Sequence, residues 1–127
     1  MVKFKVLIVD DDYINRKLLS SILKKELYKV ETFEATNGAE ALNICYQEEN
    51  IQLILLDIEM PFVNGIEFLE RYLKDPLLKH APVVAFSSND LSKKSAFGAG
   101  AYDFLVKPIT EEKLIPSILA SSNSLSN

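Results

Sequence analysis

The sequence predicts an α/β fold: a doubly wound parallel sheet of five strands with five helices. Three observations predict it. Short apolar, β-branched runs alternate with helical patterns along the chain. The loops between them are short, so successive strands run parallel and join through right-handed crossovers. The strand runs are continuously apolar rather than alternating, as strands covered on both faces are.

The first strand covers 4–9, with Val6, Leu7, Ile8 and Val9 in unbroken succession. A helix over 13–27 follows, with Ile14, Leu18, Ile22 and Leu23 on one face and Asp12 where an N-cap belongs. Residues 30–33 form a second, weaker strand. Asn37-Gly38 is turn chemistry, and 39–47 is helical, burying Ala41, Leu42 and Cys45. The most hydrophobic strand, 51–56, ends abruptly at Asp57. Pro61 and Asn64-Gly65 hold a loop before a helix over 66–73. Pro82 opens the strand 83–86, which ends at Ser87-Ser88. A short helix over 91–97 gives way to Gly98-Ala99-Gly100. The fifth strand, 102–106, leads through Lys107-Pro108 to a last helix over 111–119, where Pro116 removes a donor. Residues 121–127 are rich in Ser and Asn and read as a flexible tail or the start of a linker, leaving 1–120 as the domain.

Five strands in 127 residues fit a flavodoxin-like sheet of order 2-1-3-4-5. In that order a ligand crevice opens outside the carboxyl ends of strands 1 and 3, where the winding reverses. Composition narrows the function classes. With 48% apolar and 25% charged residues the chain has an ordinary globular balance. The single Cys45 excludes an internal disulfide framework and a multi-cysteine zinc site. A net charge of −4 disfavours wrapping nucleic acid or an anionic membrane. No apolar run approaches the roughly 18 residues of a membrane span, and Asp10 interrupts the first run before a signal-peptide core could form. A cytoplasmic location is the expectation.

The chemistry lies at the strand ends. Strand 1 ends in Asp10-Asp11-Asp12, strand 3 in Asp57, strand 4 in Ser87 and strand 5 in Lys107-Pro108. This order brings at least three carboxylates, a hydroxyl and an ammonium to one crevice. Two like charges 5 Å apart cost roughly 3 kcal/mol at an effective dielectric near 20. One lysine does not balance three carboxylates, so a hard divalent cation with oxygen ligands is implied, and Mg²⁺ suits carboxylates, waters and a phosphate oxygen. The reading is a Mg²⁺–phosphoryl site with Asp57 as nucleophile, Lys107 holding one phosphoryl oxygen and Ser87 donating to another. Asp12 reads as a cap, Cys45 as a small core residue, His80 as a plain loop residue, and Lys93, Lys94 and Phe97 as a solvated helix face. Phe104 reads as a buried aromatic.

Four motifs carry a resemblance: Val9-Asp10-Asp11; Leu56-Asp57-Ile58-Glu59-Met60-Pro61 with Gly65; Pro82-Val83-Val84-Ala85-Phe86-Ser87; and Gly100-Ala101 through Phe104-Leu105-Val106-Lys107-Pro108. On these, the chain resembles the receiver domains of two-component response regulators, of the chemotaxis-receiver kind, over about residues 4–120. The resemblance implies that Asp57 is the phosphoacceptor. It implies Asp11 as a direct Mg²⁺ ligand and Asp10 as one acting through water, with Asp57 and the Glu59 backbone carbonyl completing the shell. Ser87 matches the switch hydroxyl, Lys107 the phosphate-binding ammonium and Phe104 the aromatic switch position. It further implies phosphoryl transfer from a histidine kinase or histidine phosphotransfer protein, no enzymatic turnover beyond the domain's own phosphorylation and dephosphorylation, and signalling through the face of the fourth helix, fifth strand and fifth helix. The partner is then a downstream protein or an output domain absent from this chain, with no direct contact to nucleic acid or membrane and a weak homodimer left open.

Asn64 stands where Asp is frequent, Ser88 where Ala or Gly is frequent, and Glu59 and Asn89 hold the positions that tune dephosphorylation. Asn15-Arg16 resembles receivers attached to hybrid kinases. Two rival classes fit less well. A phosphatase of the haloacid-dehalogenase type would use Asp10-Asp11-Asp12-Tyr13-Ile14 but leaves Asp57 without a role. A flavin carrier would want hydroxyls and glycines after strand 1, not three carboxylates.

Overall fold

The computed structural model describes residues 3–60 and 63–125. Five strands, β1 (Phe4–Val9), β2 (Val30–Ala35), β3 (Leu53–Asp57), β4 (Val83–Ser87) and β5 (Asp103–Val106), pair in the order β2-β1-β3-β4-β5. Every pairing is parallel. The helices are α1 (Tyr13–Glu26), α2 (Gly38–Gln47), α3 (Gly65–Lys74), α4 (Lys93–Gly98) and α5 (Glu111–Leu125). The expected flavodoxin-like sheet and its order are therefore present.

Alternate residues of each strand sort to opposite faces, as the period of two requires. Leu7, Val9, Ile54, Leu56, Val83 and Ala85 pack with Ala41 and Cys45 of α2, Phe68, Leu69 and Tyr72 of α3, and Ala96 of α4. Val6, Ile8, Leu53, Leu55, Val84 and Phe86 face Leu19, Ile22 and Leu23 of α1 and Leu114 and Ile118 of α5. Each buried Leu, Ile or Phe contributes about 1.5–3 kcal/mol, so β1, β3 and β4, covered on both faces, anchor the strand ends that carry the chemistry.

Helix starts follow local hydrogen-bonding chemistry. Asp12 caps α1 by accepting from the Ile14 amide at 2.9 Å, as expected of it. Asn37 caps α2 through the Glu40 amide, while Glu40 reaches back to the Thr36 amide at 3.0 Å. Asn64 caps α3 through the Glu67 amide. Gly65 admits a close approach: a Cβ there would lie 2.5 Å from the Asp57 carbonyl oxygen and 2.6 Å from Ile58 Cα.

Several expectations are corrected. Ile22 and Leu23 are buried as expected, but Ile14 and Leu18 are 70% and 48% exposed, and α1 buries Arg16, Leu19 and Ser20 in their place. The buried stripe is turned because Arg16 finds polar partners inside, described below. Leu42 is only partly buried against the core. Strand β2 runs on to Ala35, and β3 begins at Leu53 rather than 51. The helix expected over 91–97 divides into a 3₁₀ turn, Asp90–Ser92, and α4. Tyr102 precedes β5 and is 41% exposed, its hydroxyl donating to the Ala120 carbonyl. Helix α5 passes the expected end at residue 119 and reaches Leu125. Ser121 is buried and donates to the Ile118 carbonyl, so polar residues at the start of the expected tail belong to the helix. Pro61 and residues 126–127 lie outside the described residues.

Candidate functional site

Four parallel strands deliver their last residues to one edge. Asp57 and Ser87 end β3 and β4, while Asp10 and Lys107 directly follow β1 and β5. Asp10 and Ser87 are fully buried and Asp57 is 1% exposed. One oxygen each from Asp10, Asp11 and Asp57 lies within 4.8 Å of the others. The Lys107 ammonium is 3.4 Å from Asp57 Oδ2 and 3.8 Å from Asp10 Oδ2. All the residues expected at the crevice are thus brought together.

Hydrogen bonds fix the orientation of each carboxylate. Asp10 Oδ1 accepts from the Asp12 amide at 2.9 Å, and Asp57 Oδ1 accepts from the Glu59 amide at 3.1 Å. Both second oxygens therefore turn toward Lys107. Burial, reinforced by the neighbouring Asp10 charge, raises the Asp57 carboxyl from 3.8 to about 7, with Lys107 opposing. Burial also raises Asp10, opposed by the Asp12 amide and by Lys107. One ammonium does not compensate two buried carboxylates.

The donor set fits a hard divalent cation. Asp10 Oδ2 is buried without a hydrogen-bond partner among the described residues, and an orphaned buried oxygen is costly unless a cation satisfies it. Asp11, exposed at the rim, completes an all-oxygen cluster that could hold a metal of the Mg²⁺ kind.

Ser87 Oγ accepts from the Asn89 amide at 3.0 Å and donates to Glu59 Oε1. The same Glu59 oxygen accepts from the Ser88 amide at 3.1 Å and the Ser88 hydroxyl at 3.0 Å. These serine hydroxyls hold the Glu59 carboxyl below its ordinary range. Phe104 is 8% exposed and sits within the core. Beside Lys107, a crevice of about 360 Å³ is lined by Asn15, Leu18, Leu19, Phe86, Pro108 and Ile109.

Two contributions were not read from the sequence. Arg16, 9% exposed, donates from Nη1 to the Asp10 carbonyl at 2.8 Å and from Nε to Glu34 Oε1 at 2.9 Å. It ties the acidic loop to β2. The sequence marked Arg16 only as part of the Asn15-Arg16 pair, and an arginine within an amphipathic helix reads as solvated. The second is the contact of the Glu59 side chain, a position the sequence marked only for dephosphorylation, with Ser87 and Ser88 at the end of β4. Asp12, which a phosphatase of the dehalogenase type would need free, is engaged as a cap. His80 lies against Tyr72 and near the Asp75 carbonyl, with no part in the site.

A doubly wound sheet with buried carboxylates, a hydroxyl and a lysine at its carboxyl edge is the arrangement of a class of signalling domains. The chain belongs to the response regulator receiver domain family, whose model matches residues 6–119. It is 38% identical over 113 residues to the two-component response regulator-like PRR37 of Oryza sativa, a match spanning 87% of this chain and 15% of that protein. It is 38% identical over 132 residues to the transcriptional regulatory protein CpxR homolog of Haemophilus influenzae, covering 97% of this chain and 55% of the relative. The chain therefore spans only part of the length of these relatives. The chemotaxis response regulator CheY4 of Vibrio cholerae superposes with a TM-score of 0.81 at 30% identity, over 94% of this chain and 99% of that one. A response regulator receiver domain protein of Clostridium thermocellum gives 0.84 at 26%, over 96% of each. No helix among the described residues is long and apolar enough to cross a membrane.

Proposed function

We propose that this chain is the phosphoacceptor domain of a two-component phosphorelay, with Asp57 accepting the phosphoryl group in a Mg²⁺-dependent reaction. The observation that carries this reading is the buried Asp57 carboxylate with Lys107 3.4 Å from one oxygen and Asp10 and Asp11 completing a three-carboxylate cluster with it. Asp10, Asp11, Asp57 and the Glu59 backbone carbonyl would hold the ion. Bound there, Mg²⁺ would neutralise the carboxylates and the charge developing on the transferring phosphoryl oxygens.

The residues of the chain supply the rest. An Asp57 carboxylate oxygen attacks phosphorus. The bond from phosphorus to the donor's histidine nitrogen breaks, and that imidazole leaves with its electron pair and takes up a proton. Lys107 holds one phosphoryl oxygen and Ser87 donates to another. The donor is a histidine kinase or histidine phosphotransfer protein. The apolar crevice at Leu18 and Pro108 gives it a contact surface beside the site.

Ser87 and Phe104 form the switch, acting on the face of α4, β5 and α5 toward a downstream protein or an output domain. The phosphoacceptor unit extends through α5 to Leu125 rather than ending at 120, works in the cytoplasm, has no turnover beyond its own phosphorylation and dephosphorylation, and contacts neither nucleic acid nor membrane directly. Intact-mass spectrometry after incubation with acetyl phosphate, with and without Mg²⁺, tests the reading. One Mg²⁺-dependent phosphoryl adduct is expected on the wild type and none on Asp57→Asn. An adduct surviving in that variant would move the acceptor elsewhere.

A further inference from the structure

The Glu59 side chain is exposed, yet one of its oxygens is fully engaged. Oε1 accepts from the Ser87 hydroxyl, the Ser88 amide and the Ser88 hydroxyl. The Ser87 oxygen in turn accepts from the Asn89 amide. A hydroxyl carries one proton. While Ser87 gives that proton to Glu59, it has none to give to a phosphoryl oxygen on Asp57. Hydrogen bonds to an ionised acceptor are the strong kind, so the competition is not trivial. Ser88 matters because its hydroxyl and amide hold the same carboxylate oxygen in place.

We propose that Glu59 and Ser88 form a clasp that keeps the Ser87 hydroxyl engaged and so opposes phosphorylation of Asp57, which makes Glu59 a positioning residue. The inference rests on the phosphoacceptor reading of Asp57. The clasp also couples the site to the surface. Phosphoryl charge arriving on Asp57, two positions along the chain, repels the Glu59 carboxylate and competes for its serine proton. Release then frees the segment of Ser87, Ser88 and Asn89 that leads through the 3₁₀ turn Asp90–Ser92 into α4.

The test measures the initial rate of adduct formation from acetyl phosphate with saturating Mg²⁺ by intact mass. The proteins are wild type, Glu59→Gln, Ser88→Ala, Ser88→Thr and the Glu59→Gln/Ser88→Ala double variant, with Asp57→Asn as a blank. Glu59→Gln should be about ten-fold faster and Ser88→Ala about three-fold faster. Ser88→Thr, which keeps the hydroxyl, should return to the wild-type rate. The double variant should gain little over Glu59→Gln, because either change opens the same clasp. A simple effect of the Glu59 charge on an anionic donor predicts otherwise: Ser88→Ala at the wild-type rate and an undiminished Glu59→Gln effect in both backgrounds. That pattern would overturn the clasp while leaving Asp57 as acceptor. Asp57-dependent adducts absent from every protein would overturn the phosphoacceptor reading, and the clasp with it.

Discussion

Lys107 Nζ lies 3.4 Å from Asp57 Oδ2, joining the end of β5 to the end of β3 across the intervening strand β4. The same ammonium stands 3.8 Å from Asp10 Oδ2. One cation thus serves two buried carboxylates, and the consequences of that imbalance are measurable.

The Asp57 carboxyl is raised from 3.8 to about 7 by burial and by Asp10. A raised carboxyl keeps its proton in the folded protein at a pH where the unfolded chain has released it. Stability from this group is therefore complete below the unfolded value near 3.8 and is lost as pH rises through about 7, by roughly 4 kcal/mol at most. Without metal, Asp57→Asn should be more stable than wild type at pH 8 and nearly equal to it at pH 4. Added Mg²⁺ should raise the wild-type Tm at pH 8 more than at pH 5. Thermal unfolding of both proteins across that range, with chelator and with Mg²⁺, checks the sign.

Replacing Lys107 has the opposite signature. Lys107→Ala leaves Asp10 and Asp57 facing each other without a cation and should cost about 1–3 kcal/mol at pH 8. The loss should shrink toward pH 5, where the pair retains a proton. The variant should keep some Asp57 phosphorylation while losing the coupled response on the α4–β5–α5 face. Amide exchange of that face with and without phosphodonor reads the coupling, and a full wild-type response would contradict the assignment of Lys107 as the ammonium that holds the phosphoryl oxygen.

Arg16 holds the acidic loop through the Asp10 carbonyl and Glu34. Arg16→Met keeps the buried stem but strands the Asp10 carbonyl, while Glu34 keeps Lys17 at 3.4 Å, so a loss of about 1–3 kcal/mol is expected in urea unfolding. Mg²⁺ affinity, measured by calorimetry, should fall as well. Unchanged affinity in a destabilised variant would restrict Arg16 to a purely structural part.

Gly65 is required by contact with backbone that cannot yield. Its Cβ would meet the Asp57 carbonyl oxygen at 2.5 Å, so Gly65→Ala must push α3 away from the loop after β3. A cost of about 2 kcal/mol or more is expected. Gly98→Ala is the control, since nothing lies within 4 Å of a Cβ there and the residue is helical. Comparable destabilisation of both variants would refute the clash.

The strands were legible because their apolar runs are local and continuous, and the Asp12 cap because its partner lies two residues ahead; Asn37 and Asn64 read only as turn and loop residues, though they cap α2 and α3. The buried face of α1 was misread. Ile14 and Leu18 carry an apolar signal yet face outward, while Arg16 and Ser20 go inside. Hydrophobic periodicity scores Arg16 as solvated, and only the Asp10 carbonyl and Glu34, supplied by β1 and β2, reverse that preference. The extent of α5 was missed for a related reason, since Ser121 satisfies its hydroxyl within the helix. Even so, the residues of the crevice were all legible, because each terminates a strand whose end the hydrophobic run marks.

By itself, then, the sequence determined the alternation of strands and helices, the sheet they build, and the convergence of Asp10, Asp11, Asp57, Ser87 and Lys107 at one edge. Each follows from short-range pattern together with the handedness of parallel crossovers. The tertiary structure alone decided who touches whom. It assigned Lys107 to both carboxylates, Glu59 to Ser87 and Ser88, and Arg16 to the Asp10 carbonyl. Such contacts join separate loops at the level of a few tenths of an ångström. That precision comes from the register of the whole packed sheet, which no local stretch of sequence encodes.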